Sequence, residues 1–141
     1  MVIPRVVVYC KSEANVEWLT DKMTAYDFTV SSLHSGQSRD ERYQAVRPFL
    51  CGTTKVVICQ EEESMDGSMS FSDFFKEMVI CFDLPLSPKS YLEHIGLTGH
   101  FGMKGCCISL VAEHEMKDLE SIEYFFSTRA VFVQRKGVAA P

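Results

Sequence analysis

Short β-branched runs alternate along this chain with stretches of helical period. Arg5–Cys10 (RVVVYC) is almost wholly apolar and predicts a strand. Ser12 then opens a helix on which Val16, Leu19 and Met23 recur at helical spacing, with Trp18 beside them. Phe28–Leu33 (FTVSSL) reads as the next strand. Ser38 followed by Glu41 makes a capping box, and Tyr43, Val46 and Phe49/Leu50 supply the apolar stripe of a second helix. Gly52 stands where a helix end favours a left-handed residue. Lys55–Cys59, Met78–Phe82 and Cys106–Val111 are further apolar runs and predict strands.

The segments between them differ in character. Gln60 to Lys76 (QEEESMDGSMSFSDFFK) is acidic, then serine-rich, and reads as a long loop with a helical turn near Phe74-Phe75. Ser87-Pro88 joins an N-cap to a favoured first-turn proline and opens a helix running to Ile95. Gly96, Gly99, Gly102 and Gly105 punctuate the approach to Cys106. Met116, Leu119, Ile122 and Phe125/Phe126 mark a final amphipathic helix, Arg129–Gln134 a last strand, and Gly137–Pro141 a loose tail.

Strands apolar on both faces, alternating with helices, imply a parallel sheet covered on both sides. The fold class expected is α/β: a single domain over residues 1–135, with helices on both sheet faces and a flexible tail at 136–141. Ligands on such folds bind at the carboxyl ends of strands. The loops after Cys10, Leu33, Cys59, Phe82 and Val111 are therefore where function belongs.

Composition narrows the partners. The 141 residues are 46% hydrophobic, enough for a real core. Nineteen acidic side chains against fourteen basic give a formal charge of −5, so nucleic acid would have to meet a local basic patch. No run of apolar residues is long enough to span a membrane, and MVIPRVVVYCK is not a secretory signal. Six cysteines (Cys10, Cys51, Cys59, Cys81, Cys106, Cys107) include no CxxC pair, and most lie in apolar runs as reduced core thiols. The histidines at 34, 94, 100 and 114 make no ligand pattern with them, so no metal and no cofactor is expected. His34 with Cys10 or Cys59 is the one conceivable nucleophile pair, and no third group supports it.

A phosphate loop of the form GxxxxGK[ST] is absent, and the glycine cluster precedes a strand instead of opening a helix. GxSxG and HExxH are absent too. What the chain does contain is a series of five blocks: VVVYCKSEANVEWLTDKM, FTVSSLHSGQSRDER, TTKVVICQE, VICFDLPL and SPKSYLEHIGLTGHFGMKGCCISLV. In this order and spacing they resemble the C-terminal RecA-like half of DEAD-box RNA helicases, in wording like that of the translation-initiation branch. The likeness covers roughly residues 5 to 127.

The resemblance implies a domain that clamps ATP and single-stranded RNA against an N-terminal RecA-like partner domain, which carries the phosphate loop and the DEAD box. The C-terminal half would supply RNA contacts and, from its last motif, arginines that neutralise charge on the transferring phosphoryl group. In that motif the family has His-Arg-Ile-Gly-Arg-x-x-Arg. The matching stretch here is Glu93-His94-Ile95-Gly96-Leu97-Thr98-Gly99-His100, so the arginine positions hold His94, Leu97 and His100. Histidine, with an ordinary pKa of about 6.5, is mostly neutral at pH 7. Losing a finger-type arginine typically costs on the order of 10³–10⁵ in rate. The preceding motif is altered as well. Gln60 and Glu61 stand where the family has hydroxyl and carboxyl residues, and the loop that follows carries Glu62, Glu63 and Asp66 and no arginine.

Some RNA-facing features persist. Arg42 matches an arginine of the family's helix motif, whose glutamine is replaced by Arg39, and Lys11 and Gly36 lie on loops at the same sheet end. Lys11, Gly36, Arg39 and Arg42 are the RNA-binding candidates; Gln60, Glu61, His94, Gly96, Leu97 and His100 are degenerate motif positions. Asp83 keeps the family's post-strand signature.

The expectation is a degenerate helicase domain, without ATPase activity of its own, that binds single-stranded RNA or a protein partner or self-associates. The alternative is half of a working ATP-dependent RNA helicase with divergent motifs; a third is an unrelated α/β enzyme using His94, His100 and the acidic loop as acid/base groups. Tudor-containing helicase-like proteins of the piRNA pathway, of the Yb type, are similar in this respect. That likeness implies the cytoplasm and perinuclear RNA granules, with no membrane association.

Overall fold

The computed structural model describes residues 5–60, 78–84 and 106–126. In chain order these form β1 (Val6–Cys10), α1 (Glu13–Ala25), β2 (Val30–Leu33), α2 (Arg39–Leu50), β3 (Val56–Gln60), β4 (Met78–Cys81), β5 (Cys106–Ser109), a 3-10 turn at Glu113–Glu115 and α3 (Met116–Phe126). The strands make one sheet in the order β2-β3-β1-β4-β5. Every neighbouring pair is parallel, with Val8 of β1 level with Ile58 of β3 and Ile80 of β4.

The pleat explains why the central strands β1, β3 and β4 are nearly all apolar. Val7 and Tyr9 of β1 point to one face with Leu33, Val57, Cys59, Val79 and Cys81, where Val46 and Phe49 of α2 cover them. Val6, Val8 and Cys10 point to the other face with Ile58, where Val16, Leu19 and Met23 of α1 close the layer. A sheet buried on both sides leaves no polar alternation to read. Leu119 and Ile122 of α3 enclose Leu84, with Val111 and Met116 alongside.

Both early helices start as their sequences imply. Ser12 caps α1, its hydroxyl accepting from Asn15 N–H at 3.2 Å, and Ser38 caps α2 by the same bond from Glu41 N–H. Gly52 has φ +81°, the left-handed conformation expected after α2.

Two details of the pattern come out differently. Tyr43 is 52% exposed, so the core stripe of α2 is narrower and is carried by Val46 and Phe49. Phe28 is 55% exposed and precedes the strand, which starts at Val30. The reason lies at Asp27, which takes φ 66°. Its N–H bonds to Thr24 carbonyl at 3.0 Å and that of Phe28 to Met23 carbonyl at 3.0 Å. That is a Schellman ending built on aspartate instead of glycine. The expected loop at Gln60–Lys76 beyond Gln60, the helix opening at Ser87, the glycine cluster, the strand at Arg129–Gln134 and the tail all lie outside the described residues.

Candidate nucleic-acid interface

In a parallel sheet all carboxyl ends face the same way, so the segments after β1, β2, β3 and β4 converge. The β1–α1 turn is tied to β4 by Asp83, whose Oδ2 accepts from Lys11 N–H at 2.7 Å and from Asn15 Nδ2 at 2.9 Å. The Lys11 side chain is left exposed.

The β2–α2 loop is held by side-chain amides. Gln37 Oε1 accepts from His34 N–H at 3.0 Å while its Nε2 donates to Ser32 carbonyl at 3.0 Å. Gln60, at the end of β3, accepts from Ser35 N–H at 2.9 Å through Oε1. Gln60 thus has a local task, tying the loop to the sheet. This bracing sets where Ser38 starts α2, and so places Arg39 in the first turn, exposed, and Arg42 in the same turn, half-buried.

Of the RNA-binding candidates, Lys11, Gly36, Arg39 and Arg42 therefore sit together at the carboxyl end of the sheet. Arg47, also on α2, lies in its last turn, toward the opposite end. Carboxylates share the surface. Glu13 and Glu17 of α1 face His34, at 3.4 Å from Nδ1 and 3.7 Å from Nε2. Asp40 and Glu41 occupy the first turn of α2, where they suit the helix dipole. Glu13 and Glu17 are residues that sequence reasoning did not single out. The i, i+4 spacing on α1 was the available signal; their meeting with His34 depends on the sheet order.

The nucleophile pair has no support in the geometry. Gly36 N–H donates to His34 Nδ1 at 3.1 Å, and both imidazole nitrogens are directed at α1 and the loop. Cys10 is fully buried, and burial, with the nearby Asp83 charge, pushes its thiol up to about 12. Such a thiol is inert at neutral pH. Glu61, His94, Gly96, Leu97 and His100 lie outside the described residues.

No protein-family model matches the chain. Over 129 residues, 90% of its length, it is 33% identical to the ATP-dependent RNA helicase eIF4A of Aspergillus clavatus. The C-terminal domain of the DEAD-box protein Dbp5 superposes on it with a TM-score of 0.75 at 28% identity, over 89% of this chain and 72% of that one. The chain is a RecA-like domain homologous to DEAD-box RNA helicases of the eIF4A type.

Dbp5 of Saccharomyces cerevisiae, solved bound to RNA and ADP BeF3, gives a TM-score of 0.76 at 25% identity, over 92% of this chain and 34% of that one. The chain spans only 31% of the eIF4A relative's length. In this RecA-like domain the parallel sheet brings the loops to one end, and Gln37, Gln60 and Asp83 brace them there.

Proposed function

We propose that this RecA-like domain is a single-stranded-RNA-binding module of a larger helicase-like protein, without ATP hydrolysis of its own. The observation that carries the reading is the placement of Lys11, Arg39 and Arg42 at one end of the sheet, on segments braced from below by Asp83, Gln37 and Gln60. Phosphate contacts are supplied by exposed cations such as Lys11 and Arg39 and by helix first turns. A DEAD-box relative solved with RNA and ADP BeF3 supports the choice of ligand.

The inactive half of the reading rests on sequence. The chain has no phosphate loop, and His94, Leu97 and His100 stand at the arginine positions of the last motif. An N-terminal RecA-like domain would have to supply ATP binding, and an arginine would have to come from elsewhere. The relatives named ATP-dependent RNA helicase support the second reading, the C-terminal half of a working enzyme with divergent motifs. Surface released from ATP duty is available to a protein partner or to self-association. A role in cytoplasmic RNA granules, and kinship with the Tudor-containing Yb type, belong to this proposal as its outer bound.

The test is fluorescence anisotropy of labelled single-stranded RNA at two salt concentrations, together with ATPase assays in which an intact N-terminal domain from a relative is added. Salt-sensitive binding without ATP turnover is the expected result. RNA-stimulated turnover would favour the working-enzyme reading, and no binding at low salt would remove RNA as the ligand.

A further inference from the structure

One flank of α2 carries three exposed side chains a helical turn apart: Arg39, Tyr43 and Arg47. We propose that a single RNA strand leaving the carboxyl end of the sheet continues along this flank, with a base stacked on Tyr43 and a phosphate held by Arg47. The proposal rests on the RNA-binding reading above and extends it to a second stretch of the strand.

The helical period makes the row. Residues four apart advance by about 40° around the axis, so Arg39, Tyr43 and Arg47 share an arc of about 80°. That arc borders the buried side of α2, which Val46 and Phe49 form. Eight residues of rise give the row a length of about 12 Å, the span of roughly three to four nucleotides at about 3.4 Å each. Arg39 stands in the first turn, at the end of the sheet that also holds Lys11, and Arg47 in the last. Beyond Arg47 the surface stays cationic. Arg5 Nη2 and Lys55 Nζ come within 3.3 and 3.8 Å of where a Cβ on Gly52 would stand, just past the helix end.

The surroundings suit a polyanion. Asp40 borders the row only at its start, and Glu41 falls on the other flank of the helix by the same period. Glu17 and Asp21 ride on α1, which covers the opposite face of the sheet. Among the described residues, neither Arg39 nor Arg47 makes an ion pair or hydrogen bond through its side chain, and no cation or second ring stands against Tyr43. An arriving strand therefore displaces no internal partner.

Tyr43 selects the kind of polyanion. It is 52% exposed and takes no part in the core around Val46 and Phe49. An acidic peptide would use the two arginines and leave the ring idle. A flat ring between two cations is the combination that binds single-stranded nucleic acid, because every base offers a face to stack and every linkage a charge to neutralise. Contacts of this kind are tolerant of sequence.

The experiment is fluorescence anisotropy of the 141-residue protein with labelled oligouridylates of about four and about ten nucleotides. The longer strand should bind more tightly. Tyr43→Ala should weaken its binding about 5- to 100-fold and leave the shorter strand unchanged, whereas Tyr43→Phe, which keeps the ring, should retain affinity. Arg47→Ala should lower the salt slope of the longer strand alone by about 0.7. Circular dichroism establishes that each variant is folded. Equal affinity for the two lengths, or a longer strand indifferent to Tyr43→Ala and Arg47→Ala, would overturn the row and leave the RNA-binding reading standing. If neither strand binds, that reading falls and the row falls with it. Binding of polyglutamate that Arg47→Ala weakens and Tyr43→Ala does not, in protein indifferent to RNA length, would give the row to an acidic partner and overturn the proposal.

Discussion

Asp83 and Asn15 are 68 residues apart in the chain and meet through a 2.9 Å hydrogen bond that joins the end of β4 to the first turn of α1. The same Asp83 oxygen also receives Lys11 N–H at 2.7 Å. Hydrogen bonds to a charged acceptor contribute about 1.5–3 kcal/mol each, and less where water competes. Asp83→Ala should therefore destabilise the domain by about 1–3 kcal/mol, with Asp83→Asn losing less. Urea unfolding followed by fluorescence measures it. Trp18, the only tryptophan, sits on α1 with its ring 6.1 Å from that of Phe82 and reports on this junction.

Arg39 tests the proposed RNA surface without confounding the fold. It is exposed in the first turn of α2, so Arg39→Ala should change stability by no more than about 0.5 kcal/mol. RNA affinity should fall by a similar factor for different sequences, and the salt slope should decrease by about 0.7 for each phosphate left without its cation. A sequence-dependent loss would indicate base contact instead.

On one helix, Phe49 and Tyr43 should behave oppositely. Phe49 is fully buried between α2 and the sheet, and Phe49→Ala should cost about 3–5 kcal/mol. Tyr43 is 52% exposed, and Tyr43→Ala should stay within about 0.5 kcal/mol. Thermal melts of the two variants side by side decide it.

Cys10 predicts an alkaline limit. Its thiol is raised from an ordinary 9.0 to about 12 by burial and by Asp83, so the folded state holds a proton that the unfolded chain releases more readily. The stability from this site is complete below about pH 9 and is lost as pH rises toward 12. Cys10→Ala should flatten the stability curve over that window. In thiol labelling at pH 8, exposed Cys51 should react well ahead of Cys10.

Much of the scaffold was legible because its causes are local. Short apolar, β-branched runs such as Val6–Cys10 and Val56–Cys59 read as strands buried on both faces, and Ser12, Ser38 and Gly52 mark helix ends by chemistry that acts within a few residues. The end of α1 was not legible, because aspartate at 27 takes a conformation usually signalled by glycine. Asp27→Gly should leave the turn intact and stabilise it by up to about 1 kcal/mol, whereas a β-branched residue there should destabilise. At the candidate interface, Arg42 was visible at a family position, and Arg39 and Lys11 as cations near it. The structural task of Gln60 and the encounter of His34 with Glu13 were not, because both arise from strands and helices that the chain brings together from a distance.

The sheet order has a consequence for how the domain assembles. β1 precedes the other four described strands yet lies in the middle of the sheet, its two edges taken by β3 and β4. During synthesis it emerges with neither partner available, an apolar ribbon that must wait for residue 56 and then residue 78. The segment from β2 through α2 to β3 pairs with itself first, because it alone joins consecutive, adjacent strands in the early chain. Closing the long loop around β1 comes later and at greater entropic expense, so folding should be slow for a domain of this size and exposed to aggregation while that strand waits.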